Sequence, residues 1–371
     1  MRNNNVAMQN DKKKNDKTGV VDNRLLAWGD KYRIFVLFAL VLVFMSIFAP
    51  RFFNVFNLTA IMKTVSMNAC VAIGFTIVMI SGQLDLSIGT VITFAGVLGL
   101  SLKQYLGYGG AVPVAILAGV IVGLVNGLLV AKAKINSFIV TLGTMTILQG
   151  AIYTITGGNS ISLSTPDAFA ISDFLGMRLL PLVTPRVIIT AVLVLVFELI
   201  MRKTQAGRNF YLVGGNRNTA WLAGIETDRY LIAAFILSGG LAAVGGIFFA
   251  MESSAATLKL GDQSLMYVIS ATIIGGTAMS GGKGGVFRTV VAILTLEMLY
   301  TGIILFGLGN EVKIFIAGLI LAFVVLYEAY AFYKHEKEVG KRPELVKELL
   351  TLGLGNATKG QGVRKSGGGA A

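Results

Sequence analysis

Long apolar runs dominate this 371-residue chain and restrict its possible folds more than any other feature. A helix needs roughly 20 mainly apolar residues to cross a hydrocarbon core about 30 Å thick. Hydrophobic residues make up 54% of the chain and charged residues 14%, whereas charged residues approach about a quarter of a soluble domain. The sequence therefore predicts an all-α polytopic membrane protein with about ten transmembrane helices.

The predicted crossings run alternately outward and inward. They are 34–50, 57–81, 87–102, 111–130, 138–156, 187–201, 230–251, 265–279, 286–306 and 312–333. The stretch 157–185 is too polar to cross and is predicted to be external. A transmembrane domain over 34–333 would thus lie between polar tails at 1–33 and 334–371.

The basic residues show which side each connection occupies. Of the 32 Lys and Arg, 25 fall in the two tails, around Lys132 and Lys134, in the loop 202–229 and near Arg288. This asymmetry is typical of the positive-inside pattern, which predicts cytoplasmic termini and a cytoplasmic 202–229 loop. A nucleic-acid surface would instead cluster basic charge and aromatic residues on one face, so no nucleic-acid partner is expected.

Two glycine-rich stretches interrupt the apolar pattern, at Ser81–Gly89 and Ile274–Gly285. Each could be a broken or re-entrant helix, because irregular backbone at membrane depth is tolerated where protein or water satisfies it. If the crossings 57–156 pair with 230–333, the two halves form an inverted repeat with a transport path between them. The alternative is that Gly pairs merely recur where membrane helices pack closely.

The sequence contains no recognisable catalytic or metal-binding motif. The chain has one Cys and one His, which exclude a cysteine-built metal site and most imidazole chemistry. The nearest approach to a phosphate-binding loop ends at Lys283 but has Thr277 where its first Gly belongs. We therefore expect a transport subunit that is not an enzyme and binds no metal or cofactor itself.

Few ionisable residues lie deep in the predicted crossings, and these are mainly Asp85 and Glu297. Ion-coupled carriers generally need more such residues, so the energy would come from another subunit or the protein would be a passive pore. A structural hydrogen bond to a neighbouring helix is the favoured interpretation of Glu297. Asp85 is predicted to cap the helix that begins near Ser87, with a direct sugar contact as the alternative.

The loop 202–229 contains more than a simple linker. Gly214-Gly215-Asn216 predicts a turn with Asn216 as a helix cap. A short helix over 218–223 would follow, present Ala220, Trp221 and Ala223, and stop at Gly224. Such a helix could dock on another protein, or it could pack against its own membrane domain.

These loop residues resemble the cytoplasmic coupling segment of the permease subunits of bacterial ribose-, galactose-, xylose- and arabinose-type ABC importers. The resemblance rests on Arg-x-x-x-x-Gly-Arg from Arg202, then Gly-Gly-Asn, Ala220 and Gly224-Ile225. Three further segments are similar to family motifs and occur in the family's order, at 81–89, 138–145 and 274–282. The resemblance as a whole covers roughly residues 34–333.

The resemblance implies a permease subunit in a bacterial cell membrane. Its partners would be an ABC ATPase that carries the ATP, an extracytoplasmic sugar-binding protein, and a second copy or a related permease in a homodimer or heterodimer. The substrate would be a monosaccharide. Coupling to the ATPase is assigned by analogy to Gly207, Arg208, Gly214, Gly215, Asn216, Ala220 and Gly224.

Polar residues within the predicted crossings are candidates for the sugar path, since hydroxyls and amides there must face protein or a cavity. The candidates are Ser66, Asn68, Thr76, Asp85, Thr141 and Thr144. Hydrogen bonds between helices are the alternative role for each. Two other functions remain open: a related permease for nucleosides or a signalling furanose, and an ion-coupled or passive carrier.

The predicted topology can be tested by cysteine labelling. In a Cys70→Ser background, Asn159→Cys should react with an impermeant thiol reagent added to intact cells, because 157–185 is assigned to the outside. Asn218→Cys should react only after the cells are opened. Labelling of Asn218→Cys in intact cells would contradict the arrangement.

Overall fold

The computed structural model describes residues 32–163, 166–309, 311–320, 322, 323 and 326. Residues up to 320 belong to one unit. Its helices are α1 Tyr32–Phe48, α2 Val55–Ile80, α3 Ile88–Ala131, α4 Ser137–Thr156, α5 Pro166–Gly176, α6 Pro185–Lys203, α7 Gln205–Gly215, α8 Arg217–Leu222, α9 Thr227–Ser253, α10 Asp262–Ile274, α11 Val286–Leu305 and α12 over 311–320, with a 3-10 turn at Pro50–Phe53. Strands β1 Ile161–Ser162 and β2 Ala255–Ala256 pair antiparallel.

The prediction of an all-α polytopic membrane protein is confirmed. Within the described residues, five helices are long and apolar enough to cross a membrane, and one of them, α3, has 44 residues. At about 1.5 Å per residue, α3 is roughly twice as long as the hydrocarbon core is thick. A non-helical residue, Gly107 at φ 61° and ψ 177°, divides it. Helix α3 therefore contains both predicted crossings 87–102 and 111–130.

Both glycine-rich stretches are breaks in the helical structure. The chain leaves α2 at Ile80 and resumes helix at Ile88, and it leaves α10 at Ile274 and resumes at Val286. The predicted crossing 265–279 is wrong in its last five residues, because α10 ends at Ile274; its 13 residues span roughly 20 Å. The inverted pairing of the two halves, the number of crossings and the cytoplasmic termini remain predictions.

Helices α2 and α9 form the centre of the bundle, and glycine allows their neighbours to approach closely. Gly119, Gly123 and Gly127 recur at four-residue spacing along α3 and face α9. A Cβ on Gly127 would lie 2.9 Å from the Cα of Ile232, and one on Gly123 would collide with the carbonyl oxygen of Phe235. This spacing of small residues is how membrane helices gain packing contacts without a hydrophobic driving force.

An ionic cluster around the buried Arg186 ties α2, α6 and α9 together. Arg186, near the start of α6, is fully buried, donates to the backbone oxygen of Leu175 at 3.2 Å and pairs with Glu252 near the end of α9. Lys63 of α2 pairs with the same Glu252 at 3.2 Å. Glu252 was not predicted from the sequence, because its partners lie far away in the chain. With one carboxylate between two cations, the cluster fixes α5 and α6 against the central helices.

The close approach of α3 and α9 predicts that one Gly→Ala substitution lowers stability and a second leaves it unchanged. Gly123→Ala should lower the free energy of unfolding by about 1–3 kcal/mol, because its methyl group overlaps α9 backbone. Gly143→Ala on α4 is the matched control, since no atom lies within 4 Å of its added Cβ. Thermal unfolding of purified protein in detergent measures both. Equal midpoints for the two variants would contradict the packing.

Candidate functional site

Three stretches of backbone meet at the C-terminal end of α7, and we call this contact the glycine junction. It contains Gly82 from the first break, Gly281 and Gly282 from the second, and Gly214 from α7. The backbone N–H of Gly282 donates to the carbonyl oxygen of Ile80 at 2.8 Å, which joins the two breaks directly. The loop 202–229 thus contacts both glycine-rich stretches at one point.

The junction requires glycine for two separate reasons. Gly82, Gly281 and Gly282 have φ of 75°, 82° and 73°, in the left-handed region that other residues rarely adopt. Gly214 is helical, but a Cβ there would collide with the carbonyl oxygen of Ile80. A Cβ on Gly281 would lie 2.6 Å from the Gly214 carbonyl oxygen. Side chains are therefore excluded from this contact.

Helix α7 is held in place by polar and aromatic contacts along its length. Tyr211 donates its phenol to the carbonyl oxygen of Gly284 at 3.3 Å, within the second break. Burial raises the pKa of the Tyr211 phenol above its ordinary value, so the group stays a neutral donor. Asn209 donates to the Tyr230 hydroxyl at 2.7 Å, and Phe210 packs edge-on against the Tyr230 ring. Helix α7 is thereby fixed to α9 as well as to the break.

Local sequence rules predicted the N-cap residue and the stop residue of α8 correctly. Asn216 is its N-cap, and its side-chain oxygen accepts from the backbone N–H of Thr219 at 2.9 Å. Gly224 follows the helix with φ 81°, the left-handed conformation typical of a helix stop. The helix itself is Arg217–Leu222, shifted by one residue from the predicted range.

Two details of the predicted loop are wrong. Gly214 and Gly215 are the last residues of α7 and form no turn. The pair has the composition of a turn, but position 214 requires glycine because the carbonyl oxygen of Ile80 lies against it. Ala220 does not face outward: it is buried in a cluster with Ala131, Val213 and Leu231. Helix α8 therefore packs on its own membrane domain through Ala220.

The opposite side of α8 is exposed and apolar. The exposed fractions of Trp221 and Leu222 are 68% and 77%. Gly207 and Arg208 differ in the same way: Gly207 is buried where α7 turns against the backbone of α6 at Met201, whereas Arg208 is exposed. The loop therefore has one face fixed to the membrane domain and one face open.

An ionic cluster braces α8 from the side. Asp228, at the start of α9, pairs with Arg217 at 2.7 Å, Lys134 at 3.1 Å and Lys132 at 3.2 Å. Arg217 also donates to the carbonyl oxygen of Ala131 at 3.2 Å. The basic residues were visible in the sequence, but their shared partner was not. The cluster connects α8 to the α3–α4 loop.

Asp85 belongs to a chain of buried hydrogen bonds. Its Oδ1 accepts from the backbone N–H of Ser87, the residue before α3, at 3.1 Å and from the Ser87 hydroxyl at 2.5 Å. Because Ser87 lies outside α3, Asp85 caps no backbone N–H of the helix, and its predicted capping role is wrong. Its Oδ2 accepts from Ser238 of α9 at 2.7 Å. Asn126 donates to the Ser87 hydroxyl at 3.0 Å, and Thr144 donates to Asn126 at 2.5 Å. The network links α3, α4 and α9.

The remaining path candidates do not lie together. Thr76 donates to Thr289 of α11 at 3.1 Å, which is a bond between helices. The hydroxyls of Ser66 and Thr141 donate to backbone oxygens of their own helices, at 2.7 and 2.8 Å. Asn68 differs from the other candidates, because its Oδ1 is buried and lacks a hydrogen-bond partner in the described part of the chain.

Glu297 makes the predicted contact with a neighbouring helix. It is 8% exposed, and the Tyr267 hydroxyl of α10 lies 3.4 Å from its Oε2. The same hydroxyl donates to the backbone oxygen of Ile293 at 2.7 Å. Glu198 has a similar structural role, since it pairs with Arg202 and accepts from the backbone N–H of Phe287 at 2.9 Å. Its carboxylate thereby stabilises the N-terminus of α11.

Comparison with known proteins gives one consistent result. Residues 57–325 match the family described as "Branched-chain amino acid transport system / permease component". The chain is 34% identical over 308 residues to the L-arabinose transport system permease protein AraH of Escherichia coli, covering 81% of this chain and 91% of that protein. It is 29% identical over 299 residues to the ribose import permease protein RbsC of Haemophilus influenzae, covering 80% and 93%.

A third relative has a different type of substrate in its name. The chain is 28% identical over 316 residues to the autoinducer 2 import system permease protein LsrD of Photorhabdus temperata, covering 83% of this chain and 94% of that protein. No solved structure matches the chain.

The glycine junction predicts that two adjacent glycines respond differently to a methyl group. Gly214→Ala should displace the end of α7, because its Cβ would overlap Ile80, whereas a Cβ on Gly215 meets its nearest atom at 3.9 Å. In inside-out vesicles, trypsin should cleave the loop about tenfold faster in Gly214→Ala, since local opening becomes easier. Gly215→Ala should be cleaved at the wild-type rate. Identical rates would contradict the junction.

Proposed function

Since the chain belongs to the permease-component family of branched-chain amino acid transport systems, we propose that it is the membrane subunit of an ATP-driven importer for a monosaccharide. It is a multi-pass membrane protein with five described helices of spanning length and hydropathy. The matches to AraH and RbsC extend over most of each protein. These two relatives support a pentose-like sugar as substrate, delivered by an extracytoplasmic binding protein.

The exposed face of α8 is the observation that carries the proposal. An indole and a leucine side chain projecting from a rigid helix are costly to leave in water and fit an apolar groove on a partner. Arg217, bonded to Asp228, and Ala220, packed in its cluster, hold the opposite side of α8 to the membrane domain. A helix fixed on one face and open on the other is suited to docking an ATPase.

The glycine junction supports a mechanism for coupling. Packed interfaces switch between discrete arrangements and deform little within each one. A movement of the docked ATPase would pass through α8 and α7 to Gly214, which contacts both helix breaks. The ATP would bind to the partner subunit, and this chain would bind no metal or cofactor.

The match to LsrD supports a second candidate substrate, a signalling furanose such as the autoinducer 2 named for that relative. The two candidates share one coupling mechanism and differ only in the ligand. Uptake of labelled ribose, L-arabinose and autoinducer 2 by cells expressing the complete importer separates them.

Substitution of the exposed α8 residues tests the coupling. Trp221→Glu and Leu222→Glu should each reduce co-purification of the ATPase about tenfold or more and should reduce uptake in parallel, because an unpaired charge would be buried in the interface. Neither side chain packs in the core, so membrane levels should be unchanged. Ala220→Glu is less informative, because it would also disturb the cluster beneath α8.

The matched control is Gln205→Glu, an exposed change at the start of α7 in the same loop. It should retain both ATPase association and uptake, since a carboxylate at a helix N-terminus is favourable. Normal ATPase association in Trp221→Glu and Leu222→Glu would indicate that the loop is a connector. An ion-coupled or passive carrier would then be the better interpretation.

A further inference from the structure

A cleft of about 490 Å³ lies between α2, α10, α11 and α12, away from the glycine junction. Its lining combines ionisable, amide and aromatic side chains, which is unusual for a surface formed by membrane helices. They are Asn68, Asp262, Gln263, Tyr300, Glu297 and Lys313. Ligand sites commonly combine a few polar groups with apolar and aromatic walls in this way.

The cleft reaches membrane depth. Asn68 lies near the middle of the 26-residue helix α2, and Glu297 near the middle of the 20-residue helix α11. Each residue is therefore about 12–20 Å along its helix from either end. A carboxylate at such depth must face protein or water, because exposure to lipid is too costly. The cleft wall therefore lines a protein or aqueous space.

Asn68 supplies an unused acceptor in this wall. Its amide nitrogen donates to the backbone oxygen of Thr64 at 3.2 Å, while Oδ1 has no donor among the described residues. The residue is only 5% exposed. A buried acceptor without a donor is unfavourable, so it is expected to be satisfied by something other than these helices.

The other lining groups indicate a neutral ligand rich in hydroxyl groups. Glu297 and Asp262 can accept from hydroxyls, and Gln263 can both donate and accept. Lys313 lies with its Nζ 5.3 Å from the centre of the Tyr300 ring, so one base lines the cleft beside the two acids. The buried Tyr300 ring packs against Tyr267 and forms part of the aromatic wall of the cleft.

We infer that this cleft is a binding station for the monosaccharide in transit, with Asn68 as a residue that contacts it. The inference rests on the proposed function and assigns the substrate a place in the chain. A sugar hydroxyl would donate to Asn68 Oδ1, while the acidic side chains accept from its other hydroxyls. Asn68 is thus distinguished from the other path candidates, whose polar groups bond to the protein itself.

Uptake by the complete importer, with its ATPase and binding protein, tests Asn68. Asn68→Leu should reduce uptake of D-ribose or L-arabinose about tenfold, the effect of one lost buried hydrogen bond. Thr59→Val on the same helix is the matched control, because the Thr59 hydroxyl bonds to the Val55 backbone oxygen at 2.6 Å. Both variants should retain wild-type ATPase association, which separates a damaged sugar site from damaged coupling.

Thiol protection tests the cleft directly. In a Cys70→Ser background, Thr64→Cys places a thiol on the cleft wall, and Asn159→Cys is the control outside it. In the importer, the transported sugar with its binding protein should slow labelling of Thr64→Cys by an impermeant maleimide about tenfold, as expected for a mostly occupied site. It should leave Asn159→Cys unchanged.

The contrary results distinguish failure of the binding station from failure of the proposed function. If the wild type transports sugar but Asn68→Leu transports it equally well, or Thr64→Cys is unreactive or unprotected, the cleft is not the binding station and the proposed function stands. If the wild-type importer takes up neither D-ribose nor L-arabinose, the monosaccharide assignment fails and the inference fails with it.

Discussion

Direct contact between helix backbones is the constraint on which this structure depends. Lipid tails are as apolar as the side chains that face them, so association of helices within a membrane gains mainly from close packing and internal hydrogen bonds. Glycine makes that packing possible along the contact of α3 with α9, where Gly123 lies against Phe235. The same device appears at the glycine junction, where Gly214 lies against Ile80. Stability and the proposed coupling thus use one kind of contact.

Local chemistry made part of the loop predictable from sequence. The cap at Asn216 and the stop at Gly224 depend on a few neighbouring residues, and both follow rules that hold in most helices. The overall architecture followed from the lengths of the apolar runs, because membrane thickness leaves few alternatives.

Contacts between distant segments were not predictable in this way. Gly214-Gly215 has the composition of a turn, and only the position of Ile80 explains why α7 continues through it. Ala220 looks like any small surface residue until Ala131 and Leu231 are seen around it. Among the path candidates, the sequence could not show that Thr76 is paired with Thr289 while Asn68 keeps a free acceptor.

The buried Arg186 has a consequence for how the protein is made. Its partner Glu252 lies 66 residues later in the chain, so α6 leaves the ribosome well before the carboxylate exists. An unpaired arginine is tolerated near the membrane boundary, where its long side chain reaches water, but not deep in lipid. The N-terminal end of α6 therefore stays at the membrane interface until α9 has been inserted. The ion pair that joins α6 to α9 is therefore completed only when the second half of the chain has been synthesised.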